Sequence, residues 1–352
     1  MKRYYTRACN FFYGSISKKL VKERSTLPLC GDTSISFNQI EIFTRDKKKV
    51  SSKIINLKNI NKLPLVIKKK IRTDIKKITT KREFLKKKDY FIMGVLNMTP
   101  DSFSDGGKFN SIKKASQRIV NMVKAGADII DIGGESTRPG SKIIPQRKEL
   151  QRVKKVIEKF KKKFPKTLLS IDTRKSLVMN FSLNYKADII NDVSCFKFDP
   201  KSFDIIKNKN LWKIIHHMQG TPQTMQINPS YKNVLLDIYD FFENEIKKFK
   251  KTKNKNKLIL DPGVGFGKKL KHNLIILNKI SLFHSLGFPI LLGTSRKKFI
   301  NQISGKYDTK ERIGGSLSSV IFSFLQGIKI FRVHNVEEVK QGLLVFKTLL
   351  NK

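Results

Sequence analysis

Residues 93–107 carry more polar groups than a connecting loop needs. The stretch reads MGVLNMTPDSFSDGG: apolar residues typical of a buried strand lead to Asn97, and the loop that follows carries Asp101, Phe103 and Asp105 among hydroxyl side chains. Amide and carboxylate oxygens accept hydrogen bonds or bind cations, and the aromatic ring offers a flat apolar surface. The stretch therefore predicts a loop with a chemical role at the end of a strand.

Polar or charged side chains also stand where the later apolar runs end. They are Asp131 with Glu135, Asp172, Asn191 with Asp192, His217 with Gln219, Asp261, Lys297, and Arg332 with His334. Ordinary strand ends carry turn formers such as Gly, Ser and Asn. A complete set of carboxylates, amides and bases instead indicates one site in which these groups meet.

The elements that would position these groups are short β-branched runs alternating with amphipathic helical patterns. The strand candidates are residues 91–97, 128–134, 168–173, 188–194, 213–219, 257–263, 289–295 and 328–334. Residues 111–126, 146–164 and 231–251 show helical spacing of apolar residues. Eight strand-helix units in about 250 residues predict a closed (β/α)₈ TIM barrel, whose chemistry lies at the carboxyl ends of the strands.

Residues 1–88 do not fit this alternation and are expected to form a basic N-terminal extension to a barrel of residues 89–352. Residues 27–57 alternate apolar and polar side chains, which predicts two or three short strands, and residues 63–85 read as a basic helix or two. This length is too short for a robust independent core. We expect the extension to pack on the barrel; an arm that binds a partner or a membrane surface is the alternative.

The composition excludes several classes of protein. The chain has 352 residues, 39% of them hydrophobic, and a formal net charge of +45. Its lysines are scattered as KKK runs at 47–49, 68–70, 86–88 and 161–163 without interleaved aromatics, so we expect solvated faces and no nucleic acid partner. The positive field would still attract an anionic substrate.

The compartment is expected to be the cytoplasm. No apolar run is long enough to span a bilayer, and no membrane association is expected. Cys9, Cys30 and Cys195 are widely spaced and contain no C-x-x-C pair, which favours reduced thiols over disulfides or zinc. The basic, hydroxyl-containing start leaves an organellar presequence open.

Nine ordered segments resemble the signature of the dihydropteroate synthase family over about residues 90–350. They are MGVLNMTPDSFSDGG (93–107), DIGGESTRPGS (131–141), SIDT (170–173), INDVS (190–194), HMQG (217–220), DPGVGFGK (261–268), GTSRK (293–297), ERIGGSL (311–317) and RVH (332–334). One such segment is weak support, but nine in order are specific. The resemblance implies a transferase of folate biosynthesis that joins 6-hydroxymethyl-7,8-dihydropterin diphosphate to 4-aminobenzoate, releasing pyrophosphate, and is a target of sulfonamides.

The resemblance also implies which residues read the pterin. A pterin presents donors and a carbonyl on a flat ring, so carboxylates and amides must face the donors and a cation the carbonyl. By resemblance the readers are Asp172, Asn191, Asp261 and Lys297, with Met218 and Phe266 packed on the ring. Helix capping and turn formation are the competing explanations for the two aspartates. His217, in HHMQG without metal-ligand spacing, is expected to be structural.

The leaving group and the arylamine are assigned in the same way. Arg332 and His334 are expected to bind the diphosphate together with Thr137, and Asn97 to bind Mg²⁺, which takes few protein ligands beside phosphate oxygens. Asp101 and Asp105, on a closing loop, would stabilise the metal and the developing cation. The expected 4-aminobenzoate contacts are Phe103, Thr137, Arg138, Pro139 and Ser295.

The sequence departs from the family pattern at two positions, and two other functions are alternatives to the synthase. Asn335 stands where many members carry Asp, and Met98 where a smaller aliphatic is usual. A methyltetrahydrofolate-dependent corrinoid methyltransferase shares the barrel and the pterin readers but has no diphosphate to bind. A non-catalytic basic binding protein is the alternative from another class. The family resemblance implies a homodimer.

Overall fold

The computed structural model describes residues 2–86, 88–99, 108–305 and 308–350. The first part is an antiparallel sheet in which β3 pairs with β1 on one side and with β2 and β4 on the other. Its strands are β1 (Arg3–Tyr13), β2 (Leu27–Leu29), β3 (Asp32–Asp46) and β4 (Lys49–Asn56). Two helices accompany them, α1 (Gly14–Lys22) and α2 (Leu65–Thr79), with 3₁₀ turns at Leu57–Lys62 and Glu83–Lys86. We call residues 2–86 the N-terminal layer.

The second part is a closed parallel barrel. Its strands are β5 (Phe91–Asn97), β6 (Ile129–Gly133), β7 (Leu168–Asp172), β8 (Ile189–Asp192), β9 (Trp212–His216), β10 (Leu258–Asp261), β11 (Leu291–Leu292) and β12 (Ile330–Val333). They pair in the order β10-β9-β8-β7-β6-β5-β12-β11, and a parallel bridge between Leu260 and Ile290 joins the two ends. The expected TIM barrel is confirmed.

Helices surround the barrel. They are α3 (Lys108–Lys124), α4 (Gln146–Lys163), α5 (Ser176–Asn184), α6 (Ser202–Ile206), α7 (Val234–Phe249), α8 (Leu270–Asn278), α9 (Lys298–Ser304), α10 (Ile313–Phe324) and α11 (Val336–Leu350). Further 3₁₀ turns lie at Ile280–Leu286 and Lys310–Arg312. In α4 the buried residues Val153, Ile157 and Phe160 recur at helical spacing and the lysines face outward, as an amphipathic helix on a sheet requires.

An apolar cluster closes the amino-terminal end of the barrel. Phe91, Met93, Ile129, Ile189, Ile214, Ile259, Leu291 and Ile330 fill it from the strands. Phe84, from the last turn of the N-terminal layer, covers them: its ring centroid lies 4.7 Å from that of Phe91 and 4.8 Å from that of Trp212. Because described side chains fill this end, we expect ligands to enter at the carboxyl ends of the strands.

The N-terminal layer is docked along α7 and the turn Ile280–Leu286. The Tyr5 ring meets Tyr239 edge to face at 5.1 Å, and its hydroxyl donates to Asp240 Oδ1 at 3.0 Å. Arg45 donates to Asp237 at 2.6 Å and to Asp240 at 2.8 Å. Tyr5 and Phe43 belong to the same buried cluster as the barrel core, so the two parts share apolar packing.

The sheet in this layer is larger than the sequence suggested. Short strands were expected only within residues 27–57, yet β1 spans 11 residues and β3 spans 15. β1 does not alternate buried and exposed side chains: the neighbouring residues Tyr5 and Thr6 are both buried, as are Ala8 and Cys9. Its partner β3 supplies the pairing that local sequence does not reveal.

Candidate active site

Arg332 on β12 is held between two carboxylates at the carboxyl ends of the strands, the fully buried Asp131 and the partly buried Asp172. Its Nε donates to Asp131 Oδ2 at 2.6 Å and its Nη2 to Asp172 Oδ2 at 2.7 Å. Asp131 also accepts from Ser170 Oγ at 2.6 Å and from Asn191 Nδ2 at 3.1 Å. Gly133, Asp172 and Asn191 are neighbours in register across β6, β7 and β8, which brings these groups together.

A narrow inner cavity opens on this cluster. Seven of the residues expected to bind the pterin diphosphate line it: Thr137, Asp172, Asn191, Asp261, Phe266, Lys297 and Arg332. Its free volume is about 20 Å³, and the Lys297 ammonium lies 3.8 Å from the Phe266 ring centroid across it. A flat bicyclic ligand therefore has to displace side chains such as these two when it enters.

Burial sets the protonation of the inner groups. It raises the pKa of Asp261 to about 6, although the Gly263 amide donates to the carboxylate at 2.8 Å. It raises the pKa of Asp172 to about 7 against the opposing charge of Arg332. Burial and the Arg332 charge lower the pKa of Lys297 to about 7. Asp261 and Lys297 thus titrate close to neutral pH, where a donor or acceptor from a ligand decides their charge.

A wider outer cavity of about 570 Å³ joins the inner one. The two share Thr137, Phe266, Lys297 and Arg332. Asn97, Arg138, Pro139, Ser295 and His334 line only the outer cavity, as the division into two binding sites requires. The Gly140 amide donates to the Pro222 carbonyl at 3.0 Å, so the loop that carries Thr137 contacts the loop after β9.

His334 and Ser295 are joined at the edge of the outer cavity. His334 Nδ1 lies 3.2 Å from Ser295 Oγ, which also accepts from the His334 backbone amide at 3.2 Å. Burial and the Arg332 charge lower the pKa of His334 to about 3, so the imidazole is neutral. A neutral imidazole still has a donor to offer a phosphate oxygen.

Asn335 preserves a contact next to this pair. Arg296 donates to Asn335 Oδ1 from Nε at 3.0 Å and from Nη2 at 2.7 Å. The Asn335 amide in turn donates to Glu338 Oε1 at 2.7 Å. An amide oxygen thus accepts the guanidinium where many family members carry a carboxylate.

Three of the expected residues, Asp101, Phe103 and Asp105, lie outside the described residues. Met218 is half-buried and lines neither cavity. His216 lines the inner cavity instead, because β9 ends at His216 and alternation turns His217 away. His217 is buried against Phe241, with Lys268 Nζ 3.0 Å from its Nδ1.

Asp131 was expected at the site from its place at a strand end but was given no partner, and His216 was given no place in the site. Asp131 stands at a strand end in the sequence, but its contact with Arg332 joins residues 201 positions apart. His216 was overlooked because the strand was expected to continue to residue 219. Side chains of a strand alternate between the two faces of the sheet. If the strand had been ended at residue 216, as in the structure, this alternation would have placed His216 on the face that lines the barrel.

Among the described residues no three His, Cys, Asp or Glu side chains are grouped to hold a metal ion. Asn97 ends β5 and lines the outer cavity. A single amide oxygen beside an anion-binding cavity fits an ion whose other ligands are phosphate oxygens and water. In the described part of the chain, no helix has the length and apolar character that crossing a membrane requires.

The comparisons with known proteins agree with this geometry. Residues 93–334 match the family model described as pterin binding enzyme. Dihydropteroate synthase of Escherichia coli K12 is 40% identical over 261 residues, which is 74% of this chain and 92% of the relative.

Two solved structures share the fold at substantial identity. Yersinia pestis dihydropteroate synthase, solved with a sulfonamide drug complex, has a TM-score of 0.70 at 39% identity and covers 74% of this chain and 94% of its own. Xanthomonas albilineans dihydropteroate synthase, solved with 4-aminobenzoic acid, has a TM-score of 0.69 at 33% identity and covers 74% and 93%. These relatives favour the synthase over the corrinoid methyltransferase and the non-catalytic protein. The chain belongs to the dihydropteroate synthase family of pterin-binding transferases, which make 7,8-dihydropteroate and pyrophosphate from 6-hydroxymethyl-7,8-dihydropterin diphosphate and 4-aminobenzoate in folate biosynthesis.

Proposed function

We propose that the inner cavity binds the pterin and the outer cavity binds the arylamine, with the reacting carbon where the cavities meet. The observation that carries this is the shared wall formed by Thr137, Phe266, Lys297 and Arg332. A substrate in each cavity would meet the other beside the two cations. This proximity replaces a bimolecular encounter by a reaction between held groups.

In the inner cavity the pterin donors face Asp172, Asn191 and Asp261, and its carbonyl faces Lys297. Phe266 packs on the ring, and Met218 is assigned to the ring only by family resemblance. Donors from the pterin favour the ionised form of Asp261, and the pterin carbonyl favours the charged form of Lys297. Binding therefore fixes the charge of two groups that titrate near neutral pH in the free enzyme.

The diphosphate lies against Arg332, His334 and Thr137. Arg332 keeps donors beyond those it gives to Asp131 and Asp172, and neutral His334 adds an N–H donor. The methylene carbon loses its bond to the diphosphate oxygen, which keeps the electron pair. The arylamine nitrogen then bonds to that carbon and releases a proton. No covalent bond to the protein is required.

We propose that Mg²⁺ assists the departure of the diphosphate and that Asn97 is its protein ligand. The bound ion would neutralise charge on the departing diphosphate. Asp101 and Asp105 are assigned to the closed, reacting state, in which they stabilise the ion and the developing cation at the methylene. Phe103, Arg138, Pro139 and Ser295 are assigned to the aminobenzoate.

The test combines both substrates with metal removal. Pyrophosphate release should require dihydropterin diphosphate, 4-aminobenzoate and Mg²⁺, and chelation should abolish it reversibly. Asn97→Ala should raise the Mg²⁺ concentration needed for half-maximal rate while bare 6-hydroxymethylpterin still binds. An Asn97→Ala enzyme with the parent's Mg²⁺ dependence would remove Asn97 from the metal site.

We further propose a cytoplasmic homodimer in which residues 1–88 stabilise a catalytic barrel of residues 89–352. Every described residue of the two cavities comes from the barrel. The packed helices α10 and α11 expose Phe322, Leu344, Val345 and Leu349, a surface suited to a second copy. Cys9, Cys30 and Cys195 are free thiols, which supports a reducing compartment. Light scattering of a Val345→Glu variant tests the dimer, which should dissociate.

A further inference from the structure

The imidazole of His216 lines the inner cavity, and it has no role in the proposed binding of either substrate. It ends β9, pairs in register with Asp261 on β10, and is 5% exposed. Its ring meets Phe266 edge to face with the centroids 4.6 Å apart. An apolar side chain would fill this position without burying polar atoms, so the imidazole needs an explanation.

The ring of His216 is incompletely hydrogen-bonded: a backbone hydrogen bond with Val193 acts on it, but one ring nitrogen has no partner among the described residues. Nδ1 is buried and has no partner. Nε2 lies 3.9 Å from Asp261 Oδ2, which is too long for a hydrogen bond but within reach of a small rotation of the ring. Asp261 Oδ1 is already engaged by the Gly263 amide, so Oδ2 is the oxygen left for His216 and a ligand.

The charge of the imidazole is fixed by its surroundings. Burial, followed by the charges of Lys268, Lys297 and Arg332, lowers the pKa of His216 well below its usual value. The ring is therefore neutral and carries one N–H. A carboxylate oxygen beside Nε2 favours the tautomer with the proton on that nitrogen.

We propose that His216 is a positioning residue for pterin recognition: Nε2–H donates to Asp261 Oδ2 when the ligand fills the cavity, and holds that carboxylate as an ionised acceptor. This inference rests on the assignment of the inner cavity to the pterin. The ligand class selected is a fused pyrimidine that presents adjacent N–H donors, because an ionised carboxylate rejects rings that present acceptors there.

A hydrogen bond from His216 to Asp261 should change how pterin binding depends on pH. Asp261 also faces Lys297, Arg332 and Lys268, whose charges favour its ionised form, and Asp172 lies in the same cavity. Those groups stay when His216 is replaced. Loss of the donor alone should therefore make Asp261 easier to protonate and move the acid limit of pterin binding to higher pH.

Calorimetric titration with bare 6-hydroxymethylpterin across pH measures this limit. His216→Met should move the acid limb upward by about one pH unit and weaken binding at that limb about tenfold. His216→Gln, which restores an N–H donor, should return the limb toward the parent's. The KM for 4-aminobenzoate should be the same in the His216 variants as in the parent. His272→Gln is the matched control, because His272 lies outside both cavities.

Nitrogen-15 NMR of labelled histidine gives a second measurement, because the chain has only 5 histidines. The signal lost in His216→Gln should show the Nε2–H tautomer and shift when the pterin is added. An Nδ1–H tautomer, or a His216→Met enzyme with the parent's acid limb, would overturn the proposal alone. A parent enzyme that binds no pterin would overturn the cavity assignment and the proposal together.

Discussion

Arg332 and Asp172 form an ion pair inside the inner cavity, with Nη2 and Oδ2 2.7 Å apart. The cation assigned to the diphosphate and a carboxylate assigned to the pterin therefore hold each other before any substrate arrives. Asp131, fully buried, holds the guanidinium from Nε at 2.6 Å. The proposed phosphate site is thus preorganised, and Arg332 serves both as a ligand of the diphosphate and as the partner of a pterin-binding carboxylate.

Replacing Arg332 should separate these tasks. Arg332→Lys keeps a positive charge between the carboxylates but loses the planar guanidinium, which can donate two parallel hydrogen bonds to a phosphate. We expect the affinity for pterin diphosphate to fall by about tenfold or more, while the affinity for bare pterin changes little. Arg332→Ala leaves Asp131 buried without a cation and should also cost about 3–5 kcal/mol of folding stability. Calorimetry with both ligands and thermal unfolding measure the two effects. Equal losses for both ligands in Arg332→Lys would contradict the assignment.

Asp261→Asn should weaken the binding of any pterin by about 1.5–3 kcal/mol, since hydrogen bonds to a charged group are lost. The free enzyme should be no less stable near pH 8: a folded-state pKa raised to about 6 means that ionising Asp261 opposes folding above that pH. Asp192→Asn is the matched control, because Asp192 is a buried carboxylate at the end of β8 but lines neither cavity. Unchanged pterin affinity in Asp261→Asn would refute the site map.

The affinity for bare pterin should be greatest between the pKa values of Asp261 and Lys297, about 6 and about 7. Below this window Asp261 gains a proton and stops accepting from the ligand, and Asp172, with a pKa of about 7, is protonated as well. Above the window Lys297 loses the proton that it donates to the carbonyl. A diphosphate on the ligand should hold Lys297 charged and move the alkaline limb upward. Titrations of both ligands across pH check this, and identical alkaline limbs would count against Lys297 as a reader.

Sulfonamides should inhibit by competing with 4-aminobenzoate, because a cavity built for an arylamine with a para acidic group accepts an isostere. Ser295→Ala should raise the KM for aminobenzoate and the inhibition constant together. Ser319→Ala is the control, since its hydroxyl contacts Thr294 outside both cavities. Inhibition that persists as aminobenzoate is raised would place the drug elsewhere.

Arg45→Ala should loosen the N-terminal layer without changing the chemistry. The guanidinium bridges Asp237 and Asp240 and is mostly covered, so we expect a loss of about 1–3 kcal/mol in stability. The exposed Arg24→Ala serves as control. Deleting residues 1–88 retains every described cavity residue but uncovers Tyr239 and removes Phe84, so activity should survive in a less soluble protein. A folded but inactive truncation would show that the layer completes the site.

Local sequence predicted the barrel because each strand is a β-branched run and each polar group sits where a run ends. The same reasoning had no access to pairings across the barrel, such as Arg332 with Asp131. It also gave His216 no place in the site, because the strand was expected to end at residue 219 and a shift of three residues changes which side chains face inward. β1 was missed for a related reason: its stability comes from β3, not from its own pattern.

The docking of the N-terminal layer imposes an order on folding. Its contacts join Tyr5 to Asp240, Ala8 to Ser281 and Asp32 to Lys329, separations of 235, 273 and 297 residues. This layer is synthesised before the barrel and therefore cannot complete its packing until the eighth barrel strand, β12, has emerged. Contacts this distant along the chain slow folding and leave apolar faces uncovered in the meantime. Charge repulsion between the many lysines on the exposed faces would then oppose aggregation of the incompletely folded chains.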